Sequence, residues 1–280
     1  MPLIPLLSAK ILAPVVAASA LTAAATARTT TAGTLPPDLP APPALVSATS
    51  LSSPRAGAAF AGLPQVGALV WQNLDGTPGK RLCSAVAVDS PNGDLIATAA
   101  HCVAGVRATV GGPMAVAYLP GWDGSSTPYG VWYPTRVIRA KQWSASKGGN
   151  PDFDISFLTV FRKDDPRPLE TVTGAERFGA IPAPGTLTVQ LGYADDGQAP
   201  LVCRSTMGFH SRTQLRVVCD GFPAGTSGGP LLTNVDPSTG IGTLVGVVGG
   251  YQQGGAGPAI SYAAAFTPAI QSLYREASRY

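Results

Sequence analysis

Short apolar runs separated by glycine- and proline-rich turns recur along most of this chain. With Gly 33, Pro 27 and only 12% charged residues among 280, the composition suits a turn-rich β-protein better than a helical one. Many short strands with such turns predict an all-β barrel or sandwich, and periodicity alone does not choose between them. The predicted strands are Val66–Trp71, Ser84–Asp89, Leu95–Ala99, Ala108–Val110, Ala115–Leu119, Val131–Ile138 and Asp154–Val160 in a first half, and Leu187–Tyr193, Val202–Thr206, Leu215–Cys219, Pro230–Leu232, Gly242–Gly249 and Ile260–Ala265 in a second. Pro268–Ser278 carries apolar residues at helical spacing and predicts a C-terminal helix.

The N-terminus predicts export. Residues 1–27 are mostly apolar and small, interrupted by Lys10, and Ala25-Thr26-Ala27 fits the small-x-small pattern of a signal-peptide cleavage site. An uncleaved membrane anchor is the alternative. Residues 28–59 are rich in Thr, Ala, Pro and Ser without a periodic apolar face, which predicts a disordered linker or a short propeptide.

The net charge of the chain is only +3, so its charge does not indicate a nucleic acid or an anionic membrane as partner.

Four cysteines accompany this export signal. An even number of cysteines in an exported chain predicts disulfides, and four of them allow three connectivities. We favour Cys83–Cys102 and Cys203–Cys219, because each pair closes a local loop within its own half of the chain. A zinc site is the alternative. However, ligand-type spacing is absent and the chain has only two histidines, so we expect no metal.

A serine between glycines, in Gly225-Thr226-Ser227-Gly228-Gly229-Pro230, is the strongest candidate for chemistry. Glycines let the backbone bend sharply and approach other groups closely. In such a turn the amides of Gly225 and Ser227 could bind an oxyanion while the Ser227 hydroxyl attacks the adjacent carbonyl carbon. The alternative is a plain glycine-rich turn between strands.

A serine hydroxyl needs a base, and that base needs an orienting partner. His101 follows the apolar run Leu95–Ala100 and precedes Cys102, whereas His210 has no comparable setting and is expected to be structural or exposed. Asp154 directly precedes an apolar run, so it can enter the core with that strand. Asp152 follows a proline and is interpreted as a solvated turn residue.

Three segments, in the order histidine, aspartate, serine, resemble the signatures of chymotrypsin-type (trypsin-like) serine endopeptidases. They are Thr98–Cys102, Asp154–Leu158 and Gly225–Pro230. The resemblance runs from about Phe60 to the C-terminus, and Phe60–Leu69 is similar to the first strand of secreted bacterial members. It implies two packed antiparallel β-barrels with a C-terminal helix in residues 60–280. Residues 60–170 would form the first barrel and residues 171–280 the second, with the active site between them.

The resemblance also implies the chemistry. Ser227 would be the nucleophile, His101 the general base and Asp154 its orienting partner, with the amides of Gly225 and Ser227 as the oxyanion hole. Cys83–Cys102 would match the disulfide that braces the family's catalytic histidine. The expected protein is a secreted monomer that cleaves proteins or peptides without a cofactor.

The sequence departs from the animal digestive members beside the serine. Thr226 stands where those enzymes carry an aspartate that pairs with a newly cut N-terminus, and the Ile-Val-Gly-Gly activation sequence is absent. We therefore expect an oxyanion hole that does not depend on N-terminal cleavage.

The specificity pocket has several candidate residues. Asp220 could lie at its base and attract Lys or Arg, or could be a turn residue before Gly221. Gly249 and Gly250 could form an open wall that pairs with substrate as an added strand, or could simply end a core strand. No histidine lies on this wall, unlike in the glutamate-specific bacterial relatives, which argues against that specificity.

Two functions of other classes remain as alternatives. A non-catalytic trypsin-like binding module would keep the fold without the chemistry. An esterase or lipase would place its histidine after the serine, and no histidine follows Ser227.

Overall fold

The computed structural model describes residues 56–280 except positions 74, 107–115, 145, 196 and 198. The predicted signal peptide at residues 1–27, most of the predicted linker and the predicted strand Ala108–Val110 lie outside the described residues. Within the described residues, no helix has the length and apolar character needed to cross a membrane.

The described elements are fourteen strands and three α-helices. The strands are β1 (Ala58–Ala59), β2 (Val66–Gln72), β3 (Pro78–Ala87), β4 (Leu95–Thr98), β5 (Val116–Pro120), β6 (Trp132–Arg139), β7 (Ser156–Arg162), β8 (Arg177–Phe178), β9 (Leu187–Gly192), β10 (Leu201–Ser211), β11 (Gln214–Val218), β12 (Pro230–Thr233), β13 (Thr243–Val247) and β14 (Ile260–Ala264). The helices are α1 (Lys141–Ser144), α2 (Leu169–Thr173) and α3 (Pro268–Ala277). Short 3-10 turns cover His101–Val103, Pro151–Phe153 and Tyr251–Gly254.

The first six-stranded sheet closes into a barrel in the order β2-β3-β4-β7-β6-β5. β4 pairs antiparallel with β7, and Thr98 lies opposite Ser156 at the end of this pairing. Because antiparallel neighbours run in opposite directions, the residues that follow β4 and those that precede β7 meet at one end of the barrel.

The second sheet has eight strands and runs β14-β11-β10-β9-β12-β13-β8, with β1 added beside β10. Its two sides meet just beyond β13, where Gly249 N donates to Tyr262 O in β14 at 2.9 Å. Ala58 and Ala59 belong to the predicted linker at residues 28–59, yet they pair with Val202 and Leu201. The folded region therefore includes residues ahead of Phe60.

The C-terminal helix α3 buries Ile270 and Leu273, as its apolar spacing predicts. The Tyr274 ring stacks on Phe178 with 3.9 Å between ring centroids, and its hydroxyl donates to Asp89 O at 2.7 Å. Each fully buried aliphatic or aromatic side chain stabilises such packing by about 1.5–3 kcal/mol. The two sheets and this helix confirm the predicted all-β class.

Candidate active site

His101 and Asp154 lie at the end of the barrel where β4 and β7 pair. Ala99 and Ala100 are fully buried, so their small side chains let the chain turn into the 3-10 turn that begins with His101. Asp154 follows the 3-10 turn Pro151–Phe153 and is only 2% exposed. The antiparallel register thus brings together two residues that are far apart in sequence.

The Asp154 carboxylate contacts His101 at two points. Oδ1 accepts a hydrogen bond from His101 N at 2.8 Å, and Oδ2 lies 2.7 Å from Nδ1. Oδ2 also accepts from Gly250 N at 2.8 Å. A carboxylate that accepts from Nδ1 selects the tautomer with a proton on that nitrogen, which leaves Nε2 as an acceptor.

Gly249 makes room for this carboxylate, whereas the absence of a side chain on Gly250 makes room for Gln214. A Cβ on Gly249 would lie 3.1 Å from Asp154 Oδ2 and 3.1 Å from Ala99 Cβ. Gly250 has a φ of +74°, and a Cβ there would lie only 2.3 Å from Gln214 Oε1. The structure therefore places both predicted wall glycines directly beside Asp154.

Ser227 lies on a tight turn, residues 223–229, which we call the serine loop. Gly225 has a φ of +92°, and a Cβ on it would collide with Asp195 N. The Thr226 hydroxyl donates to Pro223 O at 2.7 Å and closes the loop on itself. Ser227 O accepts from Ser84 N at 2.7 Å, which ties the loop to β3 of the barrel.

The amides of Gly225 and Ser227 are oriented by the carbonyl groups that precede them. Ala224 O accepts from Asp195 N at 2.9 Å, and Thr226 O accepts from Gly229 N at 3.0 Å. In a planar trans peptide the N–H points opposite to the C=O. The two N–H groups therefore point away from these internal partners, and no described residue accepts a hydrogen bond from either.

The Ser227 hydroxyl donates to Gln253 O at 3.4 Å, and no hydrogen bond joins it to His101 among the described residues. Gln253 belongs to the turn Tyr251–Gly254, in which Gln252 and Gln253 have φ values of +52° and +54°. Non-glycine residues rarely adopt this left-handed conformation, and they tend to occur at functional sites.

His101 and Ser227 both line a cavity of about 360 Å³. Its other lining residues are Phe222, Pro223, Ala224, Gly225, Thr226, Val248, Gln252, Gln253, Gly254, Gly255, Ala256, Gly257 and Pro258. Apart from His101, none of these described residues carries a titratable side chain. Gly250 lines a smaller neighbouring cavity with His101 and Asp154.

Asp220 lies outside the 360 Å³ cavity and is exposed. Its Oδ1 accepts from Gly221 N at 2.9 Å, and Gly221 has a φ of +86°. Gly57 N donates to its carbonyl oxygen. This geometry is that of a turn residue, which is one of the two interpretations that the sequence left open.

The disulfides join Cys83 to Cys102 and Cys203 to Cys219, the two pairs favoured from the sequence. Cys83, His101 and Cys102 are also close enough together to resemble a metal-ligand cluster. However, a disulfide bond occupies both sulfur atoms, so they cannot act as thiolate ligands. His210 lines neither of the two cavities next to His101, and its ring stacks on Tyr251 with 4.3 Å between ring centroids.

Sequence reasoning missed Ser84 and Gln253 as neighbours of the serine loop. Ser84 is fully buried in β3 and looks like an ordinary small strand residue in the sequence. Gln253 contributes only its backbone carbonyl, for which the side-chain type carries no signal. The position of Ser84 directly after Cys83 was the one available indication.

A family model described as "Trypsin-like peptidase domain" matches residues 83–247, a span that contains His101, Asp154 and Ser227. Among curated proteins, no sequence matches this chain.

Solved structures share the fold. Protease Anisep from Arthrobacter nicotinovorans has a TM-score of 0.65 at 22% identity over 80% of this chain and 100% of its own. The thermostable serine protease AL20 from an extremophilic microorganism has a TM-score of 0.62 at 23% identity, over 77% and 97% of the two chains. A Glu endopeptidase in complex with MPD has a TM-score of 0.61 at 16% identity, over 81% and 99%.

The structural likeness identifies the fold as that of chymotrypsin-like serine proteases. The family match covers more than half of the chain and includes the segments that carried the resemblance in the sequence. This chain therefore belongs to the trypsin-like peptidase domain family.

Proposed function

We propose that this protein is a secreted serine endopeptidase that hydrolyses peptide bonds through an acyl-enzyme. Ser227 is the nucleophile, His101 the general base and acid, and Asp154 the residue that orients the imidazole. The observation that carries the proposal is the two-point attachment of His101 to the buried Asp154 carboxylate, 2.8 Å from His101 N and 2.7 Å from Nδ1. The resulting tautomer has its basic nitrogen, Nε2, free to accept a proton.

The hydroxyl of Ser227 changes partner before it attacks. In the structure it donates to Gln253 O at 3.4 Å. In the proposed mechanism, rotation about the Ser227 Cα–Cβ bond transfers it to His101 Nε2. Catalytic hydrogen bonds are often long or absent in unliganded enzymes and tighten when substrate binds. The shared cavity, which His101 and Ser227 both line, supports this rearrangement.

Peptide hydrolysis then proceeds in two stages. Ser227 Oγ attacks the carbonyl carbon while His101 takes its proton, and the N–H groups of Gly225 and Ser227 bind the oxyanion. His101 next protonates the leaving amine, and water attacks the acyl-enzyme with His101 again as base. These steps involve only groups of the protein and water.

The substrate is a protein or peptide, and the 360 Å³ cavity receives the side chain on the acyl side of the cleaved bond. The absence of charged partners among its described lining residues favours an uncharged side chain there. Gly249 N donates to Tyr262 O, Gly250 N donates to Asp154 Oδ2 and Gly250 O accepts from Gln253 N. We propose that, of the backbone groups of Gly249 and Gly250, the Gly249 carbonyl oxygen pairs with the substrate. Secretion rests on the predicted signal peptide and is supported by the two disulfides, which persist in oxidising compartments. A monomeric state is part of the proposal.

A fluorophosphonate probe, which reacts with activated serines, tests the assignment. We expect intact-mass analysis to show one label on the wild-type protein and none on Ser227→Ala, whose kcat on peptides should fall roughly 10⁶-fold. Ser238→Ala is the matched control, because it removes an exposed hydroxyl hydrogen-bonded to Asp236. A folded wild-type protein that neither reacts with the probe nor cleaves peptides would favour the non-catalytic binding module instead.

A further inference from the structure

We propose that Ser84 is a positioning residue that holds the oxyanion hole in its active orientation. The proposal rests on the proposed function. It assigns a role to a residue of the first barrel that lies far from Ser227 in the sequence. Ser84 lies in β3 of the first barrel, whereas the serine loop directly precedes β12 of the second sheet. It touches no reacting atom and acts through the backbone of Gly225.

Ser84 is fully buried and every polar group it carries has a partner in or near the site. Its hydroxyl donates to Gly225 O at 3.2 Å and accepts from Tyr193 N at 2.8 Å. Its backbone N donates to Ser227 O at 2.7 Å, and its backbone O accepts from the Thr98 hydroxyl at 2.8 Å. One residue of β3 thus contacts both of the loop residues whose amides form the proposed oxyanion hole.

The hydrogen bond from Ser84 matters because Gly225 is a conformationally flexible residue of the serine loop. With a φ of +92° and no side chain, its two flanking peptides can rotate readily. Asp195 N holds the peptide on one side through Ala224 O, and the Ser84 hydroxyl holds the peptide on the other side through Gly225 O. The bond to Ala224 O directs the Gly225 N–H away from the loop, where an oxyanion can bind it. The bond to Gly225 O holds the next peptide, so that Gly225 keeps the backbone conformation on which this direction depends.

Loss of the Ser84 hydroxyl leaves Gly225 O and Tyr193 N without their side-chain partner in a buried site. Buried backbone groups without partners are unfavourable, and the Gly225 peptide can relieve this by rotating. Gly225 O lies in the same peptide as Thr226 N–H, so this rotation changes the ψ of Gly225 and the φ of Thr226. The backbone shift that accompanies it displaces the adjacent N–H groups of Gly225 and Ser227 that form the proposed oxyanion hole. Because an oxyanion hole acts mainly in the transition state, the loss should fall on kcat and leave substrate binding nearly intact.

Ser84→Ala, compared with Ser261→Ala, tests this role. Ser261 is also buried and its hydroxyl also accepts a hydrogen bond, from Gln190 Nε2 at 2.7 Å. No hydrogen bond joins Ser261 to the serine loop among the described residues. Both variants and the wild type are measured for kcat and KM on one peptide substrate. They are also measured for the Ki of a peptide boronate, whose tetrahedral adduct with serine places an oxygen in the hole.

We expect Ser84→Ala to lower kcat on the order of 10–100-fold with KM within about twofold, and to weaken boronate inhibition by a similar factor. Ser261→Ala should leave kcat and the boronate Ki near wild-type values. Ser84→Gly, a second variant without the hydroxyl, should behave like Ser84→Ala, and Ser84→Thr should recover kcat because it restores a hydroxyl. Rates are normalised to the fraction of protein that reacts with the fluorophosphonate probe.

The positioning role is excluded if the hydroxyl-free variants lower stability but keep wild-type kcat and boronate Ki. It is also excluded if only KM changes. Both results differ from a failure of the proposed function, in which the wild-type protein itself would lack peptidase activity and probe labelling.

Discussion

The carboxylate of Asp154 binds both the backbone nitrogen and the side-chain Nδ1 of His101, at 2.8 and 2.7 Å. The first bond fixes the position of the residue, and the second fixes the rotation and the tautomer of its imidazole. Gly250 N adds a third hydrogen bond to this carboxylate at 2.8 Å. Asp154 therefore joins the first barrel, which carries His101, to the segment after β13 in the second sheet.

Asp154→Asn should lower kcat on the order of 10⁴-fold while the protein stays folded. An amide in this place can donate to Nδ1, which favours the tautomer that has its proton on Nε2 and cannot accept one from Ser227. The measurement is kcat on a peptide substrate, with circular dichroism as a check on folding. Asp152→Asn is the matched control, because Asp152 lies two residues away and its Oδ1 accepts from Gln214 Nε2. Comparable losses in the two variants would contradict the assignment of Asp154.

Cleavage after uncharged side chains is the expectation from the 360 Å³ cavity. An Arg, Lys or Glu side chain would lose its hydration there without gaining a charged partner among the described lining residues. A peptide library should therefore show cleavage mainly after uncharged residues. Asp220→Asn should leave that profile unchanged because Asp220 lies outside the cavity. A preference for Arg or Lys that disappears in Asp220→Asn would show that Asp220 reaches the substrate.

Most strands and the candidate residues were predictable because their signals are local. Apolar runs between turns marked the strands of both sheets, and Pro268–Ser278 showed its amphipathic spacing. His101, Asp154 and Ser227 each stand next to a run of residues whose pattern is visible without the fold. Their proximity was not derivable from these patterns alone and came from the family resemblance.

The features that escaped prediction depend on contacts between distant segments. β1 is a pair of alanines, and its strand conformation exists because Val202 and Leu201 pair with it. β8 likewise has two residues and pairs in parallel with β13. The hydroxyl of Ser84 contacts Gly225, which is 141 residues away in the chain. No pattern within a short window can report such a contact.

A blocked N-terminus should not abolish activity. The peptides around Gly225 are held by Asp195 N and the Ser84 hydroxyl, and Thr226 closes the loop on Pro223. We therefore expect that the oxyanion hole does not need a terminal ammonium. We expect a chain that carries uncleavable residues before Ala56, and so keeps strand β1, to have a kcat within about twofold of the same chain without them. Thr226→Val, which removes the internal hydroxyl bond, should lower kcat in either form. Activity that appears only after the extension is removed would contradict this prediction.

Removal of either disulfide should lower the stability of the fold by a similar amount, but only removal of Cys83–Cys102 should also lower kcat. They close loops with sequence separations of 19 and 16, so each should stabilise the fold by about 3 kcal/mol in the chain-entropy model. Replacing Cys83 and Cys102 by Ala should also lower kcat, because Cys102 directly follows His101. Replacing Cys203 and Cys219 should leave kcat largely intact well below the melting temperature. Urea denaturation measures the stability of both double variants, and steady-state kinetics measures their kcat. An equal loss of kcat in the two variants would show that the Cys83–Cys102 disulfide does not specifically support His101.

Glu176 is a buried carboxyl group where the chain passes from the first barrel to the second sheet. It is fully buried, its backbone pairs with Ala87 and Asp89, and its Oε2 accepts from Gly242 N. Burial raises the pKa of Glu176 from 4.5 to about 7, and the Gly242 hydrogen bond opposes this only in part. The folded protein therefore keeps a proton on Glu176 over a pH range in which the unfolded chain has lost it.

This difference predicts that the folded protein becomes less stable as the pH rises from about 4.5 to about 7. In that range the Glu176 carboxyl binds fewer protons in the unfolded state than in the folded state, so the free energy of unfolding falls as the pH rises. Over the whole range the fall amounts to about 3 kcal/mol. Glu176→Gln should remove this contribution, and its stability relative to the wild type should increase between pH 5 and pH 8. Urea denaturation at both pH values measures the effect, with Glu276→Gln on the exposed face of α3 as control. If Glu176→Gln and Glu276→Gln changed the pH dependence equally, burial of Glu176 could not be its cause.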